Sequence, residues 1–288
     1  MSWRLLDFAA LSGAENMALD EAVLQQVAAA DSPPTLRLYG WSPPCVSLGY
    51  FQGEAAEVLR LDECAARGVG VVRRPTGGGA ILHHREVTYS LCLPESEWAG
   101  LSTAESYERI CAALSRGLAS LGLGLSPRGP GGTVGAGGEA CLPDRTTDIC
   151  FARGSRHDLV SGGRKLVGSA QRRIKGGLLQ HGSVLLSVDR ELHRALFRRE
   201  AGWRGAFCGL DELGGREFGS DEVAGALAGG VREMAGAGGA GGLKRSGLTD
   251  SEVEAAARFA AERYADPDWS ILSRRARRRS GSHAHIRV

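Results

Sequence analysis

Three stretches of the chain have the hydrophobic spacing of amphipathic helices, and a fourth ends as helices commonly do. The clearest is residues 104–121, where apolar side chains recur three and four positions apart and so share one face. The stretch nearest the C-terminus, residues 249–265, begins with Thr249 and Asp250, either of which can cap a helix. The fourth ends at Gly68, a residue type typical of helix C-termini. The predicted helices cover residues 14–30, 62–68, 104–121 and 249–265.

Short apolar or alternating runs between these helices predict β-strands. Farther along, residues 158–186 place a glycine pair between apolar runs twice, which predicts two successive hairpins. Strands outnumber helices and no parallel crossover unit is evident, so the predicted class is α+β, with a mixed or antiparallel sheet packed with helices. The single predicted strands cover residues 35–39, 45–50, 69–74, 79–82 and 86–93.

Glycine, proline and arginine mark the segments that we expect to be irregular. Residues 126–140 are rich enough in glycine and proline to predict a mobile loop. Residues 226–248 are predicted to be a glycine-rich linker, and residues 249–272 a C-terminal helical segment. The basic tail, residues 273–288, has no apolar pattern and is predicted to be disordered.

Composition places the chain among ordinary globular proteins. Hydrophobic residues make up 43% of its 288 positions and charged residues 24%. The chain contains no run of about 18 apolar residues, the length needed to span a membrane. Its N-terminus lacks the features of a secretory signal. The seven cysteines are odd in number and include no CxxC pair, which argues against a disulfide framework and a zinc site. We therefore expect a reduced, cytoplasmic protein that binds no metal and no membrane.

The net charge is only +2, but the basic residues are clustered. Residues 172–175, 193–200 and 274–279 are local basic patches. They are either solvated faces and a frayed tail or a surface for an acidic partner, which could be a protein or a nucleic acid. Aromatic residues are scarce at 6% and are not interleaved with these arginines, so we expect no nucleic-acid partner.

The stretch RRPTGGGAILHHREVTYS, residues 73–90, holds the first candidate chemistry. Its three glycines match neither a P-loop nor a dinucleotide fingerprint; they form either a plain tight turn or a loop that lays backbone N–H groups along a ligand. In the second case Arg73 and Arg74 would add charge-assisted donors. His83 and His84 are adjacent and lie beside a predicted strand, where neighbouring side chains point to opposite faces, so at most one of them faces the site.

Cys150 is the second candidate, because it lies between the predicted glycine-rich loop and the first hairpin. A single cysteine can be a small buried hydrophobe, but a nearby ammonium group lowers a thiol's pKa and makes it a nucleophile. Lys165 in the hairpin could supply that ammonium group. A turn at residues 162–163 places Lys165 opposite Val160, however, so contact with Cys150 requires the chain before Arg156 to fold over.

The order of NMALDEA, RRPTGGGAILHHREVTYS, CF, GRKLVGSAQRR and LLQHGSVLL resembles the catalytic family of biotin and lipoate protein ligases and lipoyl transferases. Within it, the chain looks most like the LipM-type octanoyltransferases. The resemblance covers residues 14–225, which we predict to be the acyltransferase catalytic domain. It implies that Cys150 carries the acyl thioester and that Lys165 lowers the pKa of this thiol. The substrate-binding residues that it implies are Arg73, Arg74, Thr76, Gly77, Gly78, Gly79, His83, Gly168, Ser169, Ala170, Gln171, His181 and Gly182.

The resemblance also implies a reaction and its partners. An octanoyl group would pass from the phosphopantetheine thioester of acyl carrier protein to the cysteine, and then to a lysine of a lipoyl-domain protein, first of all glycine cleavage protein H. No cofactor of the enzyme's own is expected, because the phosphopantetheine arrives on the carrier protein. The tetrahedral intermediate needs hydrogen-bond donors, for which the N–H groups near Gly77–Gly79 or Gly168–Ser169 are candidates.

Four other functions remain open from the sequence. An ATP-dependent lipoate–protein ligase would need no nucleophilic cysteine, whereas an amidotransferase between lipoyl domains would use one. The chain could also be a non-catalytic binder of carrier or lipoyl domains, or a hydrolase that pairs Cys150 with His181. A Cys150→Ala variant separates these possibilities, because it inactivates the transferase but leaves a ligase or a binder intact.

Overall fold

The strands of this computed structural model form two sheets, one large and one small. The structure describes residues 2–127, 149–151, 158–199, 205–237 and 242–280. The strands are β1 (Trp3–Leu5), β2 (Ala9–Leu11), β3 (Thr35–Trp41), β4 (Cys45–Leu48), β5 (Gly70–Arg73), β6 (Ile81–His83), β7 (Glu86–Pro94), β8 (Ser126–Pro127), β9 (Leu159–Ser161), β10 (Arg164–Ile174), β11 (Gly177–Leu185) and β12 (Leu243–Arg245).

Helices cover both faces of the large sheet. They are α1 (Gly13–Ala28), α2 (Ala55–Val58), α3 (Leu61–Ala66), α4 (Thr103–Ala119), α5 (Arg190–Leu196), α6 (Leu210–Gly214), α7 (Ser220–Ala237), α8 (Asp250–Phe259), α9 (Pro267–Ile271) and α10 (Arg274–Ser280), with a 3₁₀ turn at Glu95–Glu97 and a π turn at Ala260–Tyr264. The predicted cap of α8 is confirmed, because the Thr249 side chain accepts a hydrogen bond from the Glu252 N–H. Of the predicted loop at 126–140, residues 126–127 form β8 and the rest lies outside the described residues.

The large sheet is mixed, as the predicted α+β class requires. Within the described residues its strand order is β12–β1–β3–β7–β11–β10–β9–β8, and β2 also pairs with β3. The β12–β1–β3 edge is parallel and the pairs from β3 to β8 are antiparallel. The small sheet, β5–β4–β6, corrects one expectation: β4 and β5 are parallel neighbours joined through α2 and α3, so a crossover unit does exist. These helices are only four and six residues long, too short to show a clear periodicity.

The first hairpin has the predicted turn. Arg164 pairs with Ser161, which leaves Gly162 and Gly163 as a two-residue loop. Their φ angles are +54° and +77°, and two positive values are what a type I′ turn requires. Lys165 pairs with Val160, as counting from the turn predicts.

The second hairpin turns one residue earlier than the glycine pair suggests. Ile174 pairs with Gly177, so the loop is Lys175–Gly176 and Gly177 already belongs to β11. Gly176 has a φ of +82°, and a Cβ there would overlap the Ala28 carbonyl group. This glycine therefore serves both the turn and the close approach of α1.

Within the region predicted as a linker, residues 226–248, the described residues include part of a helix and a strand, and residues 238–241 lie outside the described residues. Residues up to Ala237 belong to α7, and β12 pairs in parallel with β1. The glycines that suggested a linker allow α7 to pack closely on α4, because a Cβ on Gly230 would overlap the Ala113 carbonyl oxygen and one on Gly117 that of Ala226. The strand β12 also lies in the same sheet as the core of the predicted domain at 14–225.

The basic tail differs from its prediction as well. Residues 274–280 form α10, and residues 281–288 lie outside the described residues. Arg277 anchors this helix, since its Nη1 donates to the carbonyl oxygen of Trp269 at 2.9 Å. Among the helices of the described residues, none combines the length and apolar composition needed to cross a bilayer.

Candidate active site

Two buried arginines shape the loop that carries the glycine triplet. The Arg74 Nη2 donates to the carbonyl oxygens of Gly77 and Gly79 at 2.7 and 2.8 Å, and Nη1 donates to Ser47 O at 3.0 Å. The Arg73 guanidinium donates to backbone carbonyls of the neighbouring loop, residues 49–53. Both groups were expected to bind a ligand, but the hydrogen bonds that the structure gives them are to the protein itself, and those of Arg74 include the hydroxyls of Ser47 and Thr76. A direct contact of either with substrate stays a prediction.

Cys150 lies against the glycine triplet. Its backbone N–H donates to Ala80 O at 2.8 Å, and Ile149 forms a parallel bridge with Ala80. The sulfur is 3.8 Å from the position that a Cβ on Gly78 would occupy, and Gly78 has a φ of +97°. The backbone conformation of Gly78 and the atoms close to it therefore both require glycine at this position. The thiol is mostly buried, with the residue 6% exposed.

Lys165 reaches Cys150 even though its strand partner is Val160. Its Nζ donates to the Cys150 carbonyl oxygen at 3.1 Å and lies 2.9 Å from Asp158 Oδ1. Both members of this ion pair are buried, at 3% and 2% exposure. Cys150 and Lys165 therefore do meet, although the residues between Cys150 and Asp158 that would fold over, 152–157, lie outside the described residues. The sequence analysis missed Asp158, which lies one residue before β9 and gave no signal beyond its charge.

His181 forms a buried chain of hydrogen bonds with two other polar residues. Its Nδ1 lies 2.9 Å from Asp20 Oδ2 and its Nε2 lies 2.6 Å from Thr76 Oγ1. Burial lowers the pKa of His181 against the pull of Asp20, so the neutral ring donates from Nδ1 and accepts at Nε2. Burial raises the pKa of Asp20, but its bonds to His181 and the Arg37 charge outweigh burial and keep it lowered. With both ring nitrogens engaged, His181 does not form the Cys150–His181 pair of a hydrolase.

His83 belongs to a second buried polar group, whereas His84 follows the end of β6 and is only partly buried. Its Nδ1 lies 2.8 Å from Glu86 Oε1 and its Nε2 lies 2.7 Å from Ser47 Oγ. The ring stacks on Trp41 with centroids 3.8 Å apart and planes 12° from parallel. Glu86 and Trp41 were not predicted to belong to the site, because each looked like an ordinary strand residue.

A small cavity separates these two histidines. Its volume is about 10 Å³, roughly the space that one water molecule needs, and its apolar wall includes Met17, Trp41 and Ile81. Apolar walls with a few convergent polar groups are typical of sites for small ligands. Arg74 connects the cavity to the thiol, because it lines the cavity and its Nη2 is 2.8 Å from the Cβ position of Gly78. The predicted site residues that line the cavity are Arg74, His83, Ala170, His181 and Gly182.

Side chains of β10 alternate between this cavity and the opposite face of the sheet. Ala170 faces the cavity, whereas Gln171 Nε2 donates to Ser106 on α4 and to Gln180 Oε1. The Ser169 hydroxyl accepts a hydrogen bond from Tyr89. Neither Ser169 nor Gln171 lines this cavity, and substrate binding by either residue stays a prediction. Gly168 lies between the two regions, since a Cβ there would be 3.2 Å from the Phe151 ring beside the thiol.

Comparison with known proteins identifies the family. Residues 12–231 match the family model for the lipoyl protein ligase A/B catalytic domain. The chain is 41% identical over 280 residues to octanoyltransferase LipM of Kyrpidia tusciae, which covers 93% of this chain and 98% of the relative. It is 38% identical to octanoyltransferase LipM of Symbiobacterium thermophilum, over 94% and 98% of the two chains. The chain belongs to the LipM-type octanoyltransferase family.

Solved structures share the fold of this LipM-type chain. A lipoate-protein ligase A bound with ATP superposes with a TM-score of 0.77 at 24% identity, over 94% of this chain and 99% of the other. A bi-partite lipoate protein ligase from Thermoplasma acidophilum gives 0.72 at 22% identity, over 94% and 96%. At this level of identity the likeness concerns the fold, and it agrees with the predicted lipoate ligase architecture.

Five other cysteines of the LipM-type chain are unsuited to nucleophilic chemistry. Burial raises the pKa of Cys64 and Cys208 to about 11 and that of Cys111 to about 12. It also raises the pKa of Cys45 and Cys92. Such thiols stay protonated near neutral pH, and the thiolate is the reactive form. Burial therefore disfavours these five thiols as nucleophiles.

Proposed function

We propose that this chain transfers an octanoyl group from the thioester of acyl carrier protein, through a thioester on Cys150, to a lysine of a lipoyl-domain protein, first of all glycine cleavage protein H. The octanoyl group and the transfer follow from the names of the full-length relatives. The observation that carries the role of Cys150 is its position: the thiol lies against the glycine loop, and Lys165 is bonded to the same residue.

The first half-reaction is a thioester exchange. The Cys150 thiolate attacks the thioester carbonyl carbon, and the phosphopantetheine sulfur leaves as a thiolate that takes a proton. Lys165 donates to the Cys150 carbonyl oxygen and is paired with Asp158, which fixes its ammonium group beside the residue that carries the nucleophile. Bonds of equal type break and form, so the step needs no ATP and the enzyme needs no cofactor of its own.

In the second half-reaction the acceptor lysine's nitrogen bonds to the carbonyl carbon, the C–S bond to Cys150 breaks, and the released thiolate takes a proton as the amide forms. The acceptor lysine must lose a proton before it attacks, because its reference pKa is about 10.4. The oxyanion needs donors, for which the Gly78 N–H is well suited. In a trans peptide the N–H points opposite to the C=O, and the Gly77 carbonyl is bonded to Arg74, so the Gly78 N–H points away from Arg74.

Intact-mass spectrometry after mixing with octanoylated acyl carrier protein tests the thioester. We expect one octanoyl adduct on the wild-type protein, removable by hydroxylamine, and none on Cys150→Ala. Cys64→Ala is the matched control, because Cys64 is buried in the same hydrophobic cluster and should leave the adduct intact. An adduct on Cys150→Ala would refute the role of Cys150, and an unmodified wild-type protein would refute the transferase.

The ATP-dependent ligase is the second candidate, because a ligase bound with ATP shares the fold. A ligase would octanoylate the lipoyl domain from free octanoate and ATP, and Cys150→Ala would leave that activity intact. The transferase is expected to be inactive with these substrates and to require the carrier thioester. An octanoylated lipoyl domain offered as the only donor separates the amidotransferase in the same assay.

A further inference from the structure

A group of arginines beside the glycine loop takes no part in the chemistry described above. Together with Phe51, it lines a groove of about 560 Å³. Helix positions i, i+1, i+4 and i+5 fall on one side of a helix, so these guanidinium groups share one face of α10, whereas Arg277 is buried on another. We call this surface the arginine groove; its charged residues are Arg274, Arg275, Arg278 and Arg279.

The arginine groove is fixed to the loop at residues 49–53, which lies beside the glycine triplet. Arg277 donates to Trp269 O at 2.9 Å, and Trp269 Nε1 donates to Arg73 O at 2.8 Å. Arg73 in turn donates to the carbonyl oxygens of Gly49 and Gly53 at 2.9 Å each. Through this series of buried bonds, α10 has a defined position relative to the loop at residues 49–53.

That loop brings the arginine groove next to the thiol. Phe51 is 71% exposed, and its ring lies 3.8 Å from the position that a Cβ on Gly77 would occupy. A Cβ on the next residue, Gly78, would lie 3.8 Å from the Cys150 sulfur. The groove therefore adjoins the outer side of the loop whose inner side holds the nucleophile.

The charge of the arginine groove is uncompensated by its own lining. The lining residues in the described part of the chain include four arginines and no carboxylate. The net charge of the whole chain is only +2, so this positive charge is local. Like charges held this close repel one another and disfavour the folded state, but they attract a negative partner and speed its association.

We propose that the arginine groove docks the acidic surface of the carrier protein that delivers the acyl thioester. This inference rests on the proposed function, because it needs the carrier to be the donor. A carrier docked there would present its flexible arm to the thiol, and Phe51 would pack among apolar side chains of the carrier. Nucleic acid fits less well, because the groove offers one exposed aromatic ring rather than a series for base stacking.

A charge-reversal variant with a two-donor assay tests the docking role. The variant is Arg275→Glu, Arg278→Glu and Arg279→Glu, all at exposed positions. Its control is Arg232→Glu, Lys244→Glu and Arg258→Glu, which are exposed on α7, β12 and α8 and change the net charge equally. The rate of Cys150 acylation is measured with octanoyl carrier protein and with octanoyl-pantetheine, which carries no protein surface.

We expect the groove variant to lose at least ~10-fold in kcat/KM with the carrier protein, and to match wild type with octanoyl-pantetheine. The control variant should match wild type with both donors. Wild-type acylation by the carrier should also fall with rising salt, and that by octanoyl-pantetheine should not, which requires no variant at all.

Several results would overturn the inference. Equal carrier kinetics in the groove and control variants would do so, as would an equal loss with both donors. A defect confined to transfer from acyl-enzyme to the lipoyl domain would assign the groove to the acceptor, and nucleic-acid binding without a kinetic defect would assign it to nucleic acid. If wild type is acylated by neither donor, the proposed function itself fails; acylation by both with no salt effect removes only the docking role.

Discussion

Gly78→Ala probes the contact between the glycine loop and the thiol, since two features of Gly78 resist a side chain. Its φ of +97° is a conformation that other residues rarely adopt, and the added methyl group would lie 2.8 Å from the Arg74 Nη2. Arg74 cannot move away without weakening its bonds to Gly77 and Gly79. The substitution should therefore strain the backbone and displace the loop at the same time.

The structure allows a rough magnitude for each effect. A non-glycine residue held in such a conformation costs about 1–3 kcal/mol. Each hydrogen bond from a charged group such as Arg74 contributes about 1.5–3 kcal/mol, and two are at risk. We expect the free energy of unfolding to fall by at least ~3 kcal/mol. A loop shift of about 1 Å beside Cys150 should slow acylation by roughly 10²-fold.

Gly122→Ala is the matched control. Gly122 has a φ of +79°, but a Cβ there would have no neighbour within 4 Å among the described residues. This variant should lose only about 1–2 kcal/mol from backbone strain and keep its acylation rate. Urea denaturation gives the stabilities, and intact-mass time courses with octanoyl carrier protein give the rates. If Gly78→Ala and Gly122→Ala behave alike in both measurements, the loop does not depend on the contact described here.

Two further predictions concern the rest of the fold. Gly230→Ala should destabilise the protein by several kcal/mol in urea denaturation, because the new methyl group would overlap the Ala113 carbonyl. Its control, Gly229→Ala, places the methyl group in open space and should stabilise α7 by up to ~1 kcal/mol. Similar values for both variants would contradict the α4–α7 contact. Burial lowers the pKa of His193 from 6.5 to about 4. Between these two pH values His193 is therefore protonated in the unfolded chain but neutral in the folded chain. Stability should be complete above pH 6.5 and fall by roughly 3 kcal/mol towards pH 4, and His193→Phe should flatten this slope in denaturation series at several pH values.

The sequence predicted the regular elements well where their patterns are local. The helix at 104–121 and the turn at 162–163 depend on spacing and turn chemistry within a few residues, and both are found within two residues of their predicted places. The helix over 220–237 was misread because its glycines lower helix propensity. Their use, to let two helices approach, depends on a partner about 110 residues away in the chain.

The candidate site was predictable in its motifs and less so in its connections. Cys150 and Lys165 do meet, but through a path that the strand register alone could not supply. The roles of Asp20 and Asp158 as partners of His181 and Lys165 could not be predicted, because the sequence does not distinguish a buried aspartate from an exposed one. Gln171 and Ala170 are neighbours in one motif, but a strand points their side chains to opposite faces, which the motif alone does not show.

The pairing of β1 with β12 has a consequence for how the chain can be shortened or made. Trp3 lies beside Leu243, so the first strand acquires its outer neighbour only after the chain has been synthesised as far as Leu243. Until then the backbone of β1 is an open edge, and such edges invite pairing with other molecules. A chain that stops before Leu243 would keep every residue of the proposed acyl site and yet be prone to aggregate.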